Sequence, residues 1–227
     1  MDKRLIVRYV VRETMGLVIL GVALFWSAGT LTWWAGWATL AVILAWTAAT
    51  AIVILRTNPA LLAERLGPRV GAKSWDTAIL GLLGVTQLAR YVLAGFDYRL
   101  GWTGAFPLAV QLAGLGLSVA GYALVVWATA SNSFFSQVVR IQSERGHAVA
   151  RGGPYRTVRH PAYSGAILYE LAVPFLLSSW WALLAGVLGA ILLFVRTALE
   201  DRTLLAELEG YRAYAGAVRF RLVPGIW

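Results

Sequence analysis

The sequence predicts an all-α integral membrane protein with about six transmembrane helices. Hydrophobic residues make up 59% of the 227 residues, and the mean hydropathy of +0.67 is far above that of a water-soluble domain of this length. The apolar residues are also gathered into long runs with few charges. That is the pattern of helices that cross a bilayer.

Each predicted helix corresponds to one apolar run. Four runs are long enough to cross the roughly 30 Å of a bilayer's hydrocarbon core: residues 15–34, 37–55, 77–96 and 106–130. Two shorter runs, 163–177 and 180–195, are separated just after Pro174 and predict a tight helical hairpin. We treat the chain as one domain, with an N-terminal four-helix membrane region over residues 1–130. The C-terminal core, residues 131–227, holds a loop, the hairpin, a C-terminal helix and a tail.

Basic residues predict the orientation of the chain in the membrane. They are concentrated on the N-terminal arm, in the connection from Arg56 through Arg69 to Lys73, between residues 131 and 162, and in the tail. The opposite side has Arg99 alone, so the positive-inside rule predicts a multi-pass protein with both termini cytoplasmic. The tryptophans support the same orientation, because six of them cluster at the predicted outer turns, as expected of an interfacial aromatic belt. They are Trp33, Trp34, Trp37, Trp102, Trp180 and Trp181.

Composition excludes several function classes. The chain has no cysteine, which excludes disulfides, thiolate metal sites and cysteine nucleophiles, and we predict no metal site. The net charge of +9 is spread over four segments without a nucleic-acid-binding module, so anionic lipid headgroups are the expected partners rather than nucleic acid. The pattern does not define an oligomeric state. Three pairs of glycines predict close helix packing: Gly81 and Gly84, Gly114 and Gly121, and Gly186 and Gly189.

Polar residues are concentrated between residues 131 and 161, a segment too long to be a simple connector. Gly146, the short apolar stretch 148–150 and the Gly152-Gly153-Pro154 turn predict an extended backbone whose N–H and C=O groups are free to bind a ligand. Pro161 suits the first turn of a helix, so the hairpin should begin there, next to His160. A helix N-terminus flanked by arginines suits a carboxylate or a phosphate.

The second arm of the hairpin ends in a charged stretch, "VRTALEDRTL". Arg196 and Glu200 are four residues apart and share a helical face, with Asp201 beside them. The hairpin brings this face and His160 to the same membrane surface. Three alternatives stay open: Arg196 and Glu200 form only a surface ion pair, His160 is only a helix cap, and the intramembrane Glu170 and Arg90 are either functional or a structural pair.

The motifs together resemble the isoprenylcysteine carboxyl methyltransferase family and its phospholipid methyltransferase relatives. The resemblance rests on "GHAVARGGPYRTVRHPAYSG", a hydrophobic hairpin, "RTALEDRTLLAELEGYRAY" and the closing "RFRLVPGIW", in that order. It implies a methyltransferase that binds S-adenosyl-L-methionine at the cytoplasmic membrane surface, over a cavity open to lipid. The implied acceptor is lipophilic, either an isoprenylcysteine-like carboxylate or a phospholipid amine.

The resemblance also implies roles for individual residues. Arg196 and Glu200 would be catalytic, with Arg196 facing the acceptor and Glu200 completing the cofactor pocket. A family glutamine matches either Gln142 or Arg140. The other implied cofactor contacts are a strand from His147 to Ala150, Tyr155 and the turn at the start of the hairpin: His147, Ala148, Val149, Ala150, Tyr155, His160, Pro161, Ala162 and Tyr163.

Two other function classes fit parts of the sequence. A membrane reductase of the sterol or steroid type also has an RHP turn and binds NADPH, but it typically reads RHPNY where this chain reads RHPAY. A non-enzymatic membrane protein or transporter would use Glu170 and Arg90 as a polar path. That reading leaves the segment 147–163 unexplained.

Overall fold

The computed structural model describes residues 3–66 and 71–227, which form α-helices, turns and loops without a β-strand in these ranges. The predicted all-α class is therefore confirmed. Arg69, one of the predicted cytoplasmic basic residues, lies outside the described residues. The helices are α1 (Lys3–Ala28), α2 (Trp34–Thr57), α3 (Ala60–Leu66), α4 (Ser74–Leu100), α5 (Leu108–Ala130), α6 (Pro161–Leu176), α7 (Trp180–Glu207) and α8 (Tyr211–Ala217). Two 3₁₀ turns, Ser143–Arg145 and Gly153–Arg156, interrupt the long loop before α6.

Four helices, α2, α4, α5 and α7, are long and apolar enough to cross a membrane. Large apolar side chains such as Leu44, Leu112 and Leu188 are exposed on their outer surfaces, where lipid would cover them. These helices indicate an integral membrane protein. α6 has only 16 residues, and the full count of six crossings stays a prediction.

Two predicted elements differ in the structure. The run 15–34 does not form one helix, because α1 ends at Ala28 and Gly29 adopts a left-handed conformation with φ of +69°. α7 continues beyond the apolar run 180–195 as far as Glu207 and so includes Arg196 and Glu200 in one helix. Residues 147–150 were expected to form a strand, but they form an irregular loop with no neighbouring strand for pairing.

Glycines allow the closest helix contacts, as predicted for two of the three pairs. A β-carbon added to Gly121 of α5 would lie 2.6 Å from the carbonyl oxygen of Gly165 in α6, and one added to Gly114 would lie 2.5 Å from the Leu176 backbone nitrogen. Gly186 and Gly189 of α7 approach Glu170 in the same way. The prediction is wrong for Gly81 and Gly84, because no other atom lies within 4 Å of an added β-carbon there.

Arg90 of α4 and Glu170 of α6 form an ion pair in the interior of the helix bundle, and Arg90 is completely buried. The Tyr91 and Tyr169 hydroxyl oxygens lie 2.7 Å apart beside it, and the Tyr122 ring stacks on Tyr169 at 3.9 Å. Of the two interpretations of this pair, the structure supports the structural one. Because an unpaired charge is costly in a bilayer, the pair also fixes α4 against α6.

Candidate active site

A cavity of about 500 Å³ lies among the ends of the helices and the loop that precedes α6. It brings together ten of the twelve site residues predicted from the sequence: His147, Ala148, Val149, Ala150, Tyr155, His160, Ala162, Tyr163, Arg196 and Glu200. Gln142 and Pro161 are outside its lining, whereas Arg140, the alternative to Gln142, is part of it. The sequence motifs therefore converge on one site.

Gln142 supports the loop from behind. Its side chain is fully buried, its Nε2 donates to the Phe134 carbonyl oxygen at 2.8 Å, and its Oε1 accepts a hydrogen bond from Arg145. Its backbone N–H donates to Nδ1 of His147 at 3.2 Å. Gln142 therefore positions His147, and both polar ends of its buried side chain are bound to the loop itself.

His147 is held as a neutral ring that can donate a hydrogen bond. Since Nδ1 accepts from the backbone N–H of Gln142, the proton of the neutral imidazole is on Nε2. The ring stacks on Phe134 with centroids 4.7 Å apart. Burial lowers the pKa of His147 below its ordinary value of 6.5, and the charges of Arg140 and Arg145 lower it further.

The backbone that follows His147 has unused hydrogen-bonding groups. Neither the N–H nor the C=O groups of Ala148, Val149 and Ala150 are bonded to another described residue. Backbone groups of folded proteins are nearly always paired, with protein, water or a ligand. An extended segment along a cavity is therefore well suited to bind the polar edge of a planar ligand.

Tyr155 is fixed beside this segment. Its carbonyl oxygen accepts a 2.7 Å hydrogen bond from the Tyr214 hydroxyl, and its own hydroxyl accepts from Asn132 at 3.4 Å. Burial raises the pKa of the Tyr155 hydroxyl, so the group stays a neutral phenol. The aromatic ring is therefore a rigid, uncharged part of the cavity wall.

His160 precedes α6, which begins at Pro161 as predicted. Its side chain makes no capping hydrogen bond, so the interpretation of His160 as a helix cap is wrong for the imidazole. Its Nε2 lies 3.1 Å from Oδ1 of Asp201 and 3.2 Å from the Tyr211 hydroxyl. The ring is thus fixed by α7 and α8.

Asp201 is the centre of a polar cluster that sequence reasoning noticed only as a neighbour of Glu200. It is fully buried and binds Arg159 through both carboxylate oxygens, at 2.8 and 2.9 Å. It also accepts hydrogen bonds of 2.8 Å from Tyr211 and Arg221. The cluster joins the turn before α6 to α7 and to the C-terminal tail, and so closes one side of the cavity.

Arg196 and Glu200 both line the cavity from α7, but they do not form the surface ion pair that the sequence allowed. Arg196 binds Asp76 of α4, with Nε 2.7 Å from Oδ1, and its Nη2 donates to the Gln137 carbonyl oxygen at 2.8 Å. Glu200 accepts a hydrogen bond from the Tyr163 hydroxyl. Nη1 of Arg196 has no partner among the described residues, and the Arg196 guanidinium lies 5.3 Å from the Tyr163 ring.

The cavity also has a wall that the motifs did not indicate. It is formed by side chains of the first four helices, most notably Trp46 and Thr50 of α2, Arg65 of α3 and Gln87 of α4. Asp76, the partner of Arg196, comes from the same region. These residues carry no sequence motif, and the apolar composition around them predicts only membrane helices.

The helices indicate an integral membrane protein, and its cavity is lined in part by polar and charged side chains. Residues 114–206 match the Isoprenylcysteine carboxyl methyltransferase (ICMT) family. The matched segment runs from α5 into α7 and includes all ten predicted site residues that line the cavity. It confirms the family resemblance of the sequence motifs. The family supports methyl transfer as the activity and a membrane as its setting. A comparison with curated proteins finds no match.

Proposed function

We propose that the protein is a membrane methyltransferase that uses S-adenosyl-L-methionine and methylates a lipophilic acceptor at the cytoplasmic membrane surface. The observation that carries the proposal is the joint placement of Glu200 and the unpaired backbone of residues 148–150 on one cavity. S-adenosyl-L-methionine, when bound, supplies a methyl group on a positively charged sulfur. Its ammonium group and adenine edge match the carboxylate and the backbone groups that the cavity offers.

The charges of the lining support this match. Three lining arginines are paired with carboxylates: Arg140 with Glu64, Arg159 with Asp201 and Arg196 with Asp76. Glu200 forms no ion pair within the described part of the chain, although its carboxylate accepts a hydrogen bond from the Tyr163 hydroxyl. A carboxylate of this kind is a favourable partner for an ammonium group in a site with little water.

The chain's own residues would act mainly by positioning and by excluding water. Methyl transfer is an in-line displacement, so alignment of the reacting groups can supply a large share of the rate. The backbone of residues 147–150 and the fixed Tyr155 ring would hold the adenine side, and Glu200 the ammonium side. Arg196 would face the acceptor through its free Nη1. An acceptor carboxylate is ionised at neutral pH and needs no general base.

Binding tests this proposal directly. Isothermal titration of the purified chain should detect S-adenosylhomocysteine but not NADPH. Glu200→Gln should weaken S-adenosylhomocysteine binding by roughly 1.5–3 kcal/mol, the value of a hydrogen bond to a charged group. The matched control is Glu207→Gln, on the same helix but paired with Lys73 at an exposed site, which should leave affinity unchanged. Binding of NADPH without S-adenosylhomocysteine would instead favour the reductase class.

A further inference from the structure

Three polar atoms of the cavity wall formed by the N-terminal region have no hydrogen-bond partner within the described parts of the chain. They are Nε1 of Trp46, Oγ1 of Thr50 and Nε of Arg65, and all three are buried. Their residues line the same cavity as Glu200. Buried polar atoms without a partner are rare and costly, so each requires a physical explanation.

Thr50 differs from the other threonines of its own helix. Thr39, Thr47 and Thr57 each donate a 2.8 Å hydrogen bond to the carbonyl oxygen four residues earlier. This is the usual way in which a membrane helix satisfies a hydroxyl group. Thr50 is only 2% exposed and makes no such bond. Its hydroxyl therefore has unused hydrogen-bonding capacity in a residue that lines the cavity.

Trp46 lies one helical turn before Thr50 and so on the same face of α2. Its ring is held in place by stacking on Tyr122, with centroids 4.5 Å apart and an interplanar angle of 11°. The indole N–H is thus a rigid donor. Together the two residues place an N–H and an O–H group on one side of the cavity.

Arg65 adds a positive charge that no described carboxylate neutralises by an ion pair. Glu13, the acidic side chain of α1 on the same wall, is paired with Arg12 at 2.5 Å. The Arg65 guanidinium instead lies 5.5 Å from the Phe135 ring. Burial lowers the pKa of Arg65 and the charge of Arg12 lowers it further, whereas Tyr9, by charge and by a hydrogen bond, and the charge of Glu13 raise it. A bound anion would stabilise the charged form in addition.

We infer that Trp46, Thr50 and Arg65 form a second subsite, which binds the anionic headgroup of an amphiphilic ligand. The indole N–H, the hydroxyl group and the guanidinium, which is at once an N–H donor and a cation, match a carboxylate or a phosphate and disfavour an amine. If the proposed function holds, this ligand is the methyl acceptor, and the subsite selects an acid over an amine. The anion could be carried by a bilayer lipid or by a free amphiphile.

Dodecanoate, dodecyl phosphate and dodecylamine are suitable probes because they share one chain and differ in the headgroup. Titration of the detergent-purified full chain should detect the two anions and give much weaker binding of the amine. Arg65→Gln should weaken dodecanoate binding roughly 10- to 100-fold, and Thr50→Val or Trp46→Phe roughly 2- to 10-fold. Thr50→Val removes an unpaired hydroxyl, so it should fold at least as stably as the parent chain.

Thr39→Val is the matched control, because Thr39 is equally buried in α2 but does not line the cavity. It should leave dodecanoate binding unchanged. Unaltered dodecanoate binding in Arg65→Gln, or tighter binding of dodecylamine than of dodecanoate, would overturn the inference. S-adenosylhomocysteine titration of the same variants keeps the two proposals separate, since these variants should retain its binding. If the parent chain itself does not bind S-adenosylhomocysteine, the proposed function is refuted and the subsite is not.

Nanodiscs distinguish the two sources of the anion. Dodecanoate binding is compared in nanodiscs of phosphatidylcholine alone and in nanodiscs that also contain phosphatidylglycerol. If phosphatidylglycerol weakens dodecanoate binding to the parent chain but not to Arg65→Gln, the subsite binds a bilayer lipid. If the parent chain binds dodecanoate equally in both membranes and Arg65→Gln loses this binding, the subsite binds a free amphiphile. Dodecanoate binding that does not depend on Arg65 in either membrane contradicts the subsite.

Discussion

Asp76 and Arg196 form a buried ion pair that joins α4 to α7 at the wall of the cavity. Nε of Arg196 lies 2.7 Å from Oδ1 of Asp76, and Nη2 lies 3.3 Å from Oδ2. Oδ2 of Asp76 also accepts a 2.8 Å hydrogen bond from the backbone N–H of Val139. One carboxylate therefore fixes both the arginine proposed to face the acceptor and the loop that leads to residues 147–150.

Breaking this pair should destabilise the protein. Asp76→Asn leaves Arg196 buried without its counter-ion and is expected to cost about 3–5 kcal/mol of unfolding free energy. Arg196→Lys should also lower both stability and turnover, because an ammonium group cannot reproduce the planar fork of the guanidinium. Lys73→Gln is the control, since its pair with Glu207 is exposed and is expected to contribute about 0–1 kcal/mol. Denaturation in detergent measures the unfolding free energy of all three variants. Equal losses of unfolding free energy would contradict a special role for Asp76.

His147 should make ligand binding depend on pH. Its pKa is lowered in the folded protein, so its contribution to the loop is fully present above the ordinary value of 6.5 and is lost as the pH falls through the lower folded pKa. S-adenosylhomocysteine affinity should therefore weaken on acidification over that range. His147→Asn keeps an acceptor for the Gln142 N–H and should remove the dependence. A variant with the same pH profile as the parent chain would assign the titration to another group.

The predicted orientation can be tested with reporter fusions. Trp102 lies in the turn between α4 and α5, with its side chain 53% exposed, and we expect this turn to lie outside the cytoplasm. A reporter at Trp102 and one at the C-terminus should therefore fall on opposite sides of the membrane. A third fusion at Asn58, between α2 and α3, should agree with the C-terminus. If the first two report the same side, the number of crossings is wrong by one.

Features encoded locally in the sequence were predictable. Apolar runs that are long enough by themselves to cross a bilayer identify α2, α4 and α5, and the shorter run 180–195 identifies the first part of α7. The spacing of Arg196 and Glu200 places them on one helix face whatever the rest of the chain does. The segment 147–163 could be identified because glycines, prolines and charges are unusual next to apolar helices.

Features that depend on how helices pack were not predictable. Asp76 and Arg196 are separated by 120 positions, and no local pattern joins them. The glycines of α4 show the same limit. Gly81 and Gly84 have the same spacing as Gly186 and Gly189, but they face open space, whereas the α7 pair packs against Glu170. Spacing defines a helix face and does not say which face meets a neighbour. The cavity wall with Thr50 and Arg65 was missed for this reason.

Gly189→Ala should weaken the helix bundle by disturbing the ion pair of Arg90 and Glu170. A β-carbon at Gly189 would contact the Glu170 carboxylate, with the carboxyl carbon 3.1 Å away. Displacing that carboxylate leaves Arg90 without its counter-ion in the bundle interior, which we expect to cost about 3–5 kcal/mol. Gly84→Ala is the matched control: no atom lies within 4 Å of its added β-carbon, so it should be neutral or stabilise its helix by up to about 1 kcal/mol. Thermal unfolding of both variants in one detergent measures the difference. Similar melting temperatures would mean that Glu170 can move away from α7 without losing Arg90.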